Sequence, residues 1–258
     1  KEMNLLEELK ESDIEKIKQL MQTDICRVEM LESDANLHIV IQVMDTDKEV
    51  SVEIKHTHTN ITRIEKDGKL IFQKECKDEN LNGFSSDRNI LNVKDILDFA
   101  NTVKLEDIEN ILKGQIEHNL SIAREGINGN YGCGVGKMLM DCYGDNIFTK
   151  IRAYAAAGSD ARMNGCNLPV VTNSGSGNQG MTTSLPVIIY AQEKKLDPEK
   201  MYRGLVLSNL ITIHLRSAMG RLSAYCGAVC AACGSGAGIT YLAGGTPEQI
   251  ERTITNTL

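Results

Sequence analysis

Between positions 223 and 245 the chain reads Ser-Ala-Tyr-Cys-Gly-Ala-Val-Cys-Ala-Ala-Cys-Gly-Ser-Gly-Ala-Gly-Ile-Thr-Tyr-Leu-Ala-Gly-Gly, a run in which few residues are larger than cysteine. A glycine costs an exposed helix about 1 kcal/mol relative to alanine. Such a run is therefore useful only where another backbone, or a bound group, comes very close. The segment is either one half of a tightly packed, buried helix pair or a surface pressed against a cofactor. With no Trp and four Phe among 258 residues, the core has to be built from aliphatic and small side chains.

The pattern along the chain changes once. Leu5, Leu6, Leu9, Ile14, Ile17 and Leu20 recur at helical spacing, so a helix is expected over 5–22. Alternation follows over 28–44, 50–56, 60–65 and 70–72, with Asp67-Gly68 as a hairpin turn between the last two. Three or four antiparallel strands packed on one or two helices are expected, a small α+β domain over 1–84. Residues 74–92 are polar and read as a linker. Beyond them the periodicity is helical, which predicts an all-α domain over 85–258 and an α+β chain overall.

Within that second domain, helices are expected over 105–126 with Gly126 as the stop, over 137–143, and over 146–157 closed by Gly158. A helix over 184–195 has to hold Pro186 in its first turn. Asp197-Pro198-Glu199 supplies an N-cap and a proline at the first helical position, so a helix should run to about 218. Thr246-Pro247-Glu248-Gln249 is a capping box that starts a last helix, still open at Leu258.

Charge and cysteine usage narrow the function classes. A net charge of −7 without a basic patch argues against nucleic acid as a partner. No run of about 18 apolar residues is present, so no membrane helix is expected. The chain opens on Lys1-Glu2-Met3-Asn4, not on a signal peptide or an initiator methionine, which suggests a fragment or processed chain. Eight cysteines without an export signal point to thiol, metal or redox chemistry in the cytoplasm, not to disulfides. The expected partner is a small molecule, and self-association is open.

Four stretches are candidates for chemistry. Asn173-Ser174-Gly175-Ser176-Gly177-Asn178-Gln179-Gly180 stands just ahead of an apolar run. It is either an anion-binding nest at a helix N-terminus or a flexible Gly/Ser turn. Cys226, Cys230 and Cys233 follow C-x3-C-x2-C; on one helix they could share a metal, but Cys230 and Cys233 are equally small core residues. Tyr131-Gly132-Cys133-Gly134-Val135-Gly136-Lys137 fails the phosphate-loop pattern at both Tyr131 and Met138, and reads as a glycine hinge into a helix. His56-Thr57-His58-Thr59-Asn60 ends a strand, where a structural or substrate-orienting role suits it better than a metal site. His38, His118 and His214 stand alone.

Three blocks occur together in one family: Gly158-Ser159-Asp160-Ala161-Arg162-Met163, the loop at 172–180, and Gly220-Arg221-Leu222-Ser223-Ala224-Tyr225-Cys226-Gly227-Ala228. With Gly238-Ile239-Thr240-Tyr241-Leu242 and His58-Thr59-Asn60, they make residues 28–258 resemble the L-cysteine desulfidases, relatives of the α-chain of iron–sulfur L-serine dehydratases. That resemblance implies a pyruvate-forming lyase with a [4Fe–4S] cluster on three cysteines. The cluster's iron acts on the leaving sulfur or hydroxyl, and a base takes the α-proton. Of the three ligands, Cys226 carries over. The other two belong to a block beyond Leu258, and the Cys proposed as base belongs to a block that has no counterpart at Cys26. The resemblance also assigns Ser174, Gly175, Ser176, Gly177, Asn178, Gln179, His58 and Asn60 to the substrate. The chain as given is expected to bind no cluster and to show little or no lyase activity. The alternatives are an iron–sulfur L-serine dehydratase and a non-catalytic module that binds an amino acid or another small carboxylate.

Overall fold

The computed structural model describes residues 9–35, 37–57, 59–74, 88–219 and 226–257. The chain divides into two compact units, Lys1–Ser85 and Ser86–Leu258. The secondary structure is α+β: a four-stranded antiparallel sheet in the first unit, helices in the second.

In the first unit, α1 (Glu11–Leu20) precedes β1 (His38–Asp45), β2 (Lys48–Lys55), β3 (Ile61–Lys66) and β4 (Lys69–Gln73), paired in sequence order. Alternation alone does not make strand of 28–35, which lies in no regular element. The Asp67-Gly68 hairpin forms as the sequence predicts. Both residues take positive φ, 50° and 73°, and Lys66 pairs with Lys69 across the two-residue turn. Ile39, Ile41 and Val43 pair with Ile54, Val52 and Val50, and Ile64 continues the stripe between Val52 and Phe72. The expected packing of helix on sheet is not met among the described residues: Ile14, Ile17 and Leu20 of α1 stay exposed, as do Ile41, Val43 and Phe72 of the sheet. Glu53 anchors the polar side. Its Oε1 lies 2.8 Å from Lys55 Nζ and 2.9 Å from His38 Nε2, and its Oε2 accepts from Thr62 Oγ1 at 2.8 Å. The Lys55 contact outweighs the opposing effect of burial and, with Thr62 and His38, holds the Glu53 carboxyl at about 2.

The described part of the second unit holds a short 3-10 turn (Arg88–Ile90) and eight α-helices. These are α2 (Val93–Thr102), α3 (Leu105–Asn128), α4 (Val135–Tyr143), α5 (Ile147–Met163), α6 (Gly177–Glu193), α7 (Pro198–Ala218), α8 (Ala228–Leu242) and α9 (Pro247–Thr257). Helix α6 is the centre, packed on α3, α5, α7 and α8. Met181, Leu185, Val187 and Ile188 are fully enclosed, and the buried residues run round the whole helix, as a core helix requires. Pro186 lies in mid-helix instead of the first turn, because α6 begins at Gly177, inside the glycine loop. A proline there leaves the carbonyl four residues back without its helical donor. The next carbonyl along, that of Thr183, accepts from Ser208 Oγ of α7 at 2.7 Å.

Gly126 and Gly158 are not helix stops. Helix α3 runs on to Asn128 and α5 to Met163, with both glycines inside. A Cβ on Gly126 would collide with the Ala157 carbonyl of α5, and one on Gly158 would reach Met181 Sδ of α6 at 2.8 Å. The small-residue run has the same explanation. A Cβ on Gly234 would overlap Thr212 Oγ1, and one on Gly238 would stand 2.9 Å from both the Gly204 carbonyl and Val187. Helix α8 thus lies against the backbone of α7 and the Val187 side chain of α6. Asp197 caps α7 by accepting from Glu199 N at 2.8 Å, and Thr246 with Gln249 closes the capping box of α9.

These two kinds of glycine predict opposite outcomes. Gly126→Ala should destabilise the chain by about 1–3 kcal/mol through overpacking. Gly114 lies in α3 with no atom near enough to touch an added Cβ, so Gly114→Ala should stabilise by about 0.5–1 kcal/mol. Urea denaturation of both variants checks the pair.

Candidate functional site

The glycine loop is a tight two-residue turn feeding a helix. Asn173 and Ser176 exchange backbone hydrogen bonds of 3.1 and 3.0 Å, and the central residues Ser174 and Gly175 both take positive φ, 50° and 81°. That is the I′ class of turn, which glycine favours and serine tolerates less well. Ser176 then caps α6, its Oγ accepting from Gln179 N at 3.4 Å. Gly180 is the first residue to make an intrahelical bond, to the Ser176 carbonyl. The N–H groups of Gly177 and Asn178 precede it and belong to the unpaired first turn, where the helix dipole also favours an anion.

Buried carboxamides hold this turn in place. Asn173 Nδ2 donates to Asn209 Oδ1 at 3.0 Å, and Ser174 Oγ donates to Asn173 Oδ1 at 2.9 Å. Asn209 of α7 is itself tied to Gln115 of α3 by two bonds, 3.1 and 2.9 Å. Asn119 of α3 is fully enclosed: its Oδ1 accepts from Val171 N at 2.9 Å and its Nδ2 donates to Ser184 Oγ at 2.9 Å. Gln115, Asn119 and Asn209 escaped the sequence reading. The signal for the first two was present, since Leu112, Gln115, Asn119 and Ile122 follow the spacing of the buried face of α3.

Two further groups meet at the start of α6. The Arg162 side chain, from the end of α5, lies against Gly177, where a Cβ would collide with its guanidinium, and Nη1 donates to Asn178 Oδ1 at 3.2 Å. On another side, a Cβ on Gly227 would overlap the Gln179 carboxamide. The glycine loop and the Cys226-Gly227 pair are therefore neighbours, with Gln179 between them. Asp160, in the same block as Arg162, caps α4 instead: its Oδ2 accepts from Val135 N at 2.8 Å, beside the glycine hinge in which Gly132 and Gly134 take positive φ.

The cysteines do not form a set. Cys226 is exposed and precedes α8, while Cys230 and Cys233 are buried within it, so the three do not share one helix face. Burial pushes both the Cys230 and Cys233 thiols up, away from the thiolate a metal needs, and the Cys230 thiol points at Met219 Sδ, 2.9 Å away. Among the described residues no group of three or more His, Cys, Asp or Glu is placed to hold a metal ion. The described residues therefore do not amount to a three-thiolate cluster site. Asn60 belongs to the first unit, where its Nδ2 donates to the Lys55 carbonyl at 2.9 Å and its Oδ1 accepts from Lys74 Nζ. His58 lies outside the described residues, as do residues 220–225, most of the 74–92 linker, the first eight residues and Leu258. No described helix is long and apolar enough to cross a membrane.

The second unit is thus a helical domain built round the buried helix α6. The chain belongs to the serine dehydratase alpha chain family, whose model matches residues 1–258, across both units. The UPF0597 protein of Lachnoclostridium phytofermentans is 50% identical over 258 residues, all of this chain and 61% of that protein. That of Desulfitobacterium hafniense is 50% identical over 237 residues, 92% of this chain and 55% of the relative. That of Fusobacterium nucleatum is 44% identical over 263 residues, covering 62% of its length. The chain spans about three-fifths of the length of these curated relatives. No solved structure matches it.

The buried amides should contribute measurably to stability. Asn119→Leu leaves the Val171 N–H without its acceptor and should cost about 1–3 kcal/mol. Thermal unfolding checks the cost. Hydrogen exchange should show faster exchange at Val171 than at the core of α7.

Proposed function

We propose that this chain carries the substrate-binding part of a lyase acting on a small β-substituted α-amino acid, with L-cysteine as the substrate and pyruvate, ammonia and sulfide as products. L-serine, losing water in place of hydrogen sulfide, is the alternative substrate within the same chemistry. The observation that carries the proposal is the meeting of the α6 N-terminus and the Arg162 guanidinium, with Gly227, the residue after the exposed Cys226, packed against Gln179 of the same helix end. Helix N–H groups and a guanidinium together bind a carboxylate through charge-assisted hydrogen bonds. Fixing the carboxylate orients the α-carbon and its leaving group, which is what β-elimination requires of a binding site.

In the full-length protein a [4Fe–4S] cluster would take Cys226 as one ligand and supply Lewis-acid activation of the leaving group. Membership of the serine dehydratase alpha chain family supports a lyase of this kind. Because the described residues provide no three-thiolate set, the chain's own contribution is to bind and orient. That same fact favours a second reading, in which the chain is a non-catalytic amino-acid binding module.

Calorimetry with L-cysteine and L-serine tests the proposal, on this chain and on one extended to the relatives' full length. Binding by both, with pyruvate formed only by the longer chain, is the expected result. Binding without turnover in either would favour the module. Arg162→Met should weaken binding about tenfold through loss of a charge-assisted contact. No heat with either amino acid in either chain would contradict the carboxylate cradle.

A further inference from the structure

His38 stands alone in the sequence, but in the fold it is the middle of a hydrogen-bonded row within the first unit. The strand register sets His38 opposite Lys55 and Val40 opposite Glu53, so His38 and Glu53 are diagonal neighbours on one face of the sheet. His38 Nε2 lies 2.9 Å from Glu53 Oε1, and its Nδ1 lies 2.8 Å from Ser33 Oγ. The imidazole and the carboxylate are largely enclosed, with 14% and 20% of their side chains exposed, whereas Ser33 is open to solvent. The register shift after Glu53 leaves Thr62 as the extra residue of a bulge, and from there its Oγ1 reaches Glu53 Oε2.

The protons of this row follow from the carboxylate. Lys55, Thr62 and His38 hold Glu53 ionised, and an ionised carboxylate only accepts hydrogen bonds. His38 Nε2 therefore carries the ring proton, which leaves Nδ1 of the neutral imidazole as a bare acceptor for the Ser33 O–H. The Ala35 N–H, 3.1 Å from Ser33 Oγ, donates to the same oxygen and favours negative charge on it. A hydroxyl on a base, with the base held in one tautomer by a carboxylate, is the arrangement that makes serine a nucleophile. We propose that Ser33, His38 and Glu53 form a second reactive centre, which takes the acyl group from small activated esters and hydrolyses it. Ser33 Oγ attacks the ester carbonyl carbon as its proton passes to His38 Nδ1. The new bond to Oγ replaces the bond to the leaving oxygen, which takes the proton from Nδ1 and departs as the alcohol. Water, giving a proton to Nδ1, then attacks the acyl-serine, so the acid leaves and Ser33 recovers its hydrogen. Glu53 stays ionised throughout and stabilises the imidazolium through Nε2–H. Because Ser33 is open to solvent, an acyl group reaches it without entering the core.

Two probes test this on the 258-residue chain. One is p-nitrophenyl acetate, read by nitrophenol release; the other is a fluorophosphonate, which loses fluoride to a serine oxygen and stays attached. The expected result is a fluorophosphonate adduct on Ser33, located by peptide mass spectrometry, and nitrophenol release that Ser33→Ala lowers to the rate of the urea-unfolded chain. His38→Gln should slow both reactions about a hundredfold, the low end of what a positioned base contributes. No adduct, an adduct only at other residues, or equal nitrophenol release by the native chain and Ser33→Ala overturns the proposal. Unchanged labelling in a folded His38→Gln chain also overturns it and leaves the three residues a structural fastening. Should His38→Gln fail to fold by circular dichroism, Glu53→Gln decides: slowing of at least about tenfold supports the proposal, and an unchanged rate overturns it.

Discussion

Everything in the helical unit depends on the burial of α6. A helix enclosed on all sides cannot shift without opening contacts with four neighbours, so its N-terminus is fixed in space. Enclosure on this scale needs neighbours that come close, which is the work of Gly126 against α5, Gly158 against α6, and Gly204, Gly234 and Gly238 where α7 and α8 meet. The small-residue run is therefore a packing device over most of its length. At its front edge it becomes something else, because Gly227 admits the Gln179 carboxamide beside Cys226. The same lack of side chains that lets helices touch lets a polar group reach the site.

Above that helix the glycine loop is stiff, for a reason its composition hides. A Gly/Ser-rich segment is flexible when nothing holds it. Here two positive-φ residues form a closed turn, and Asn173, Asn209, Gln115 and Asn119 tie its two flanks to α3 and α7. Three of those amides stand on helices far away in sequence. A polar side chain in a core stripe is tolerated when its partners are placed to meet it, and such a network then defines one arrangement.

Features written in adjacent residues were legible from the sequence: the Asp67-Gly68 hairpin, the Asp197-Pro198 cap, the Thr246–Gln249 box and the α+β division of patterns. Features that depend on a distant partner were not. Gly126 and Gly158 look like helix ends because glycine ends helices, and only the Ala157 carbonyl and Met181 reveal why each is a glycine. Pro186 looks like a first-turn residue until α6 is seen to begin at Gly177. The spacing of Cys226, Cys230 and Cys233 suggested a shared helix face, but α8 begins at Ala228 and the last two point into the core. The loop at 173–180, Gln179 included, and Cys226 were singled out from the sequence; the contact of Arg162 with the start of α6 shows only in the fold.

A small amino acid seated at the α6 N-terminus, as proposed, would lie near the Cys226-Gly227 pair that packs on Gln179. The most direct measurement is the rate at which iodoacetamide alkylates individual cysteines, read by mass spectrometry with and without L-serine. Cys142, exposed on α4, serves as the internal reference. Saturating L-serine should slow alkylation of Cys226 several-fold and leave Cys142 unchanged. Equal rates at Cys226 with and without the amino acid would contradict it.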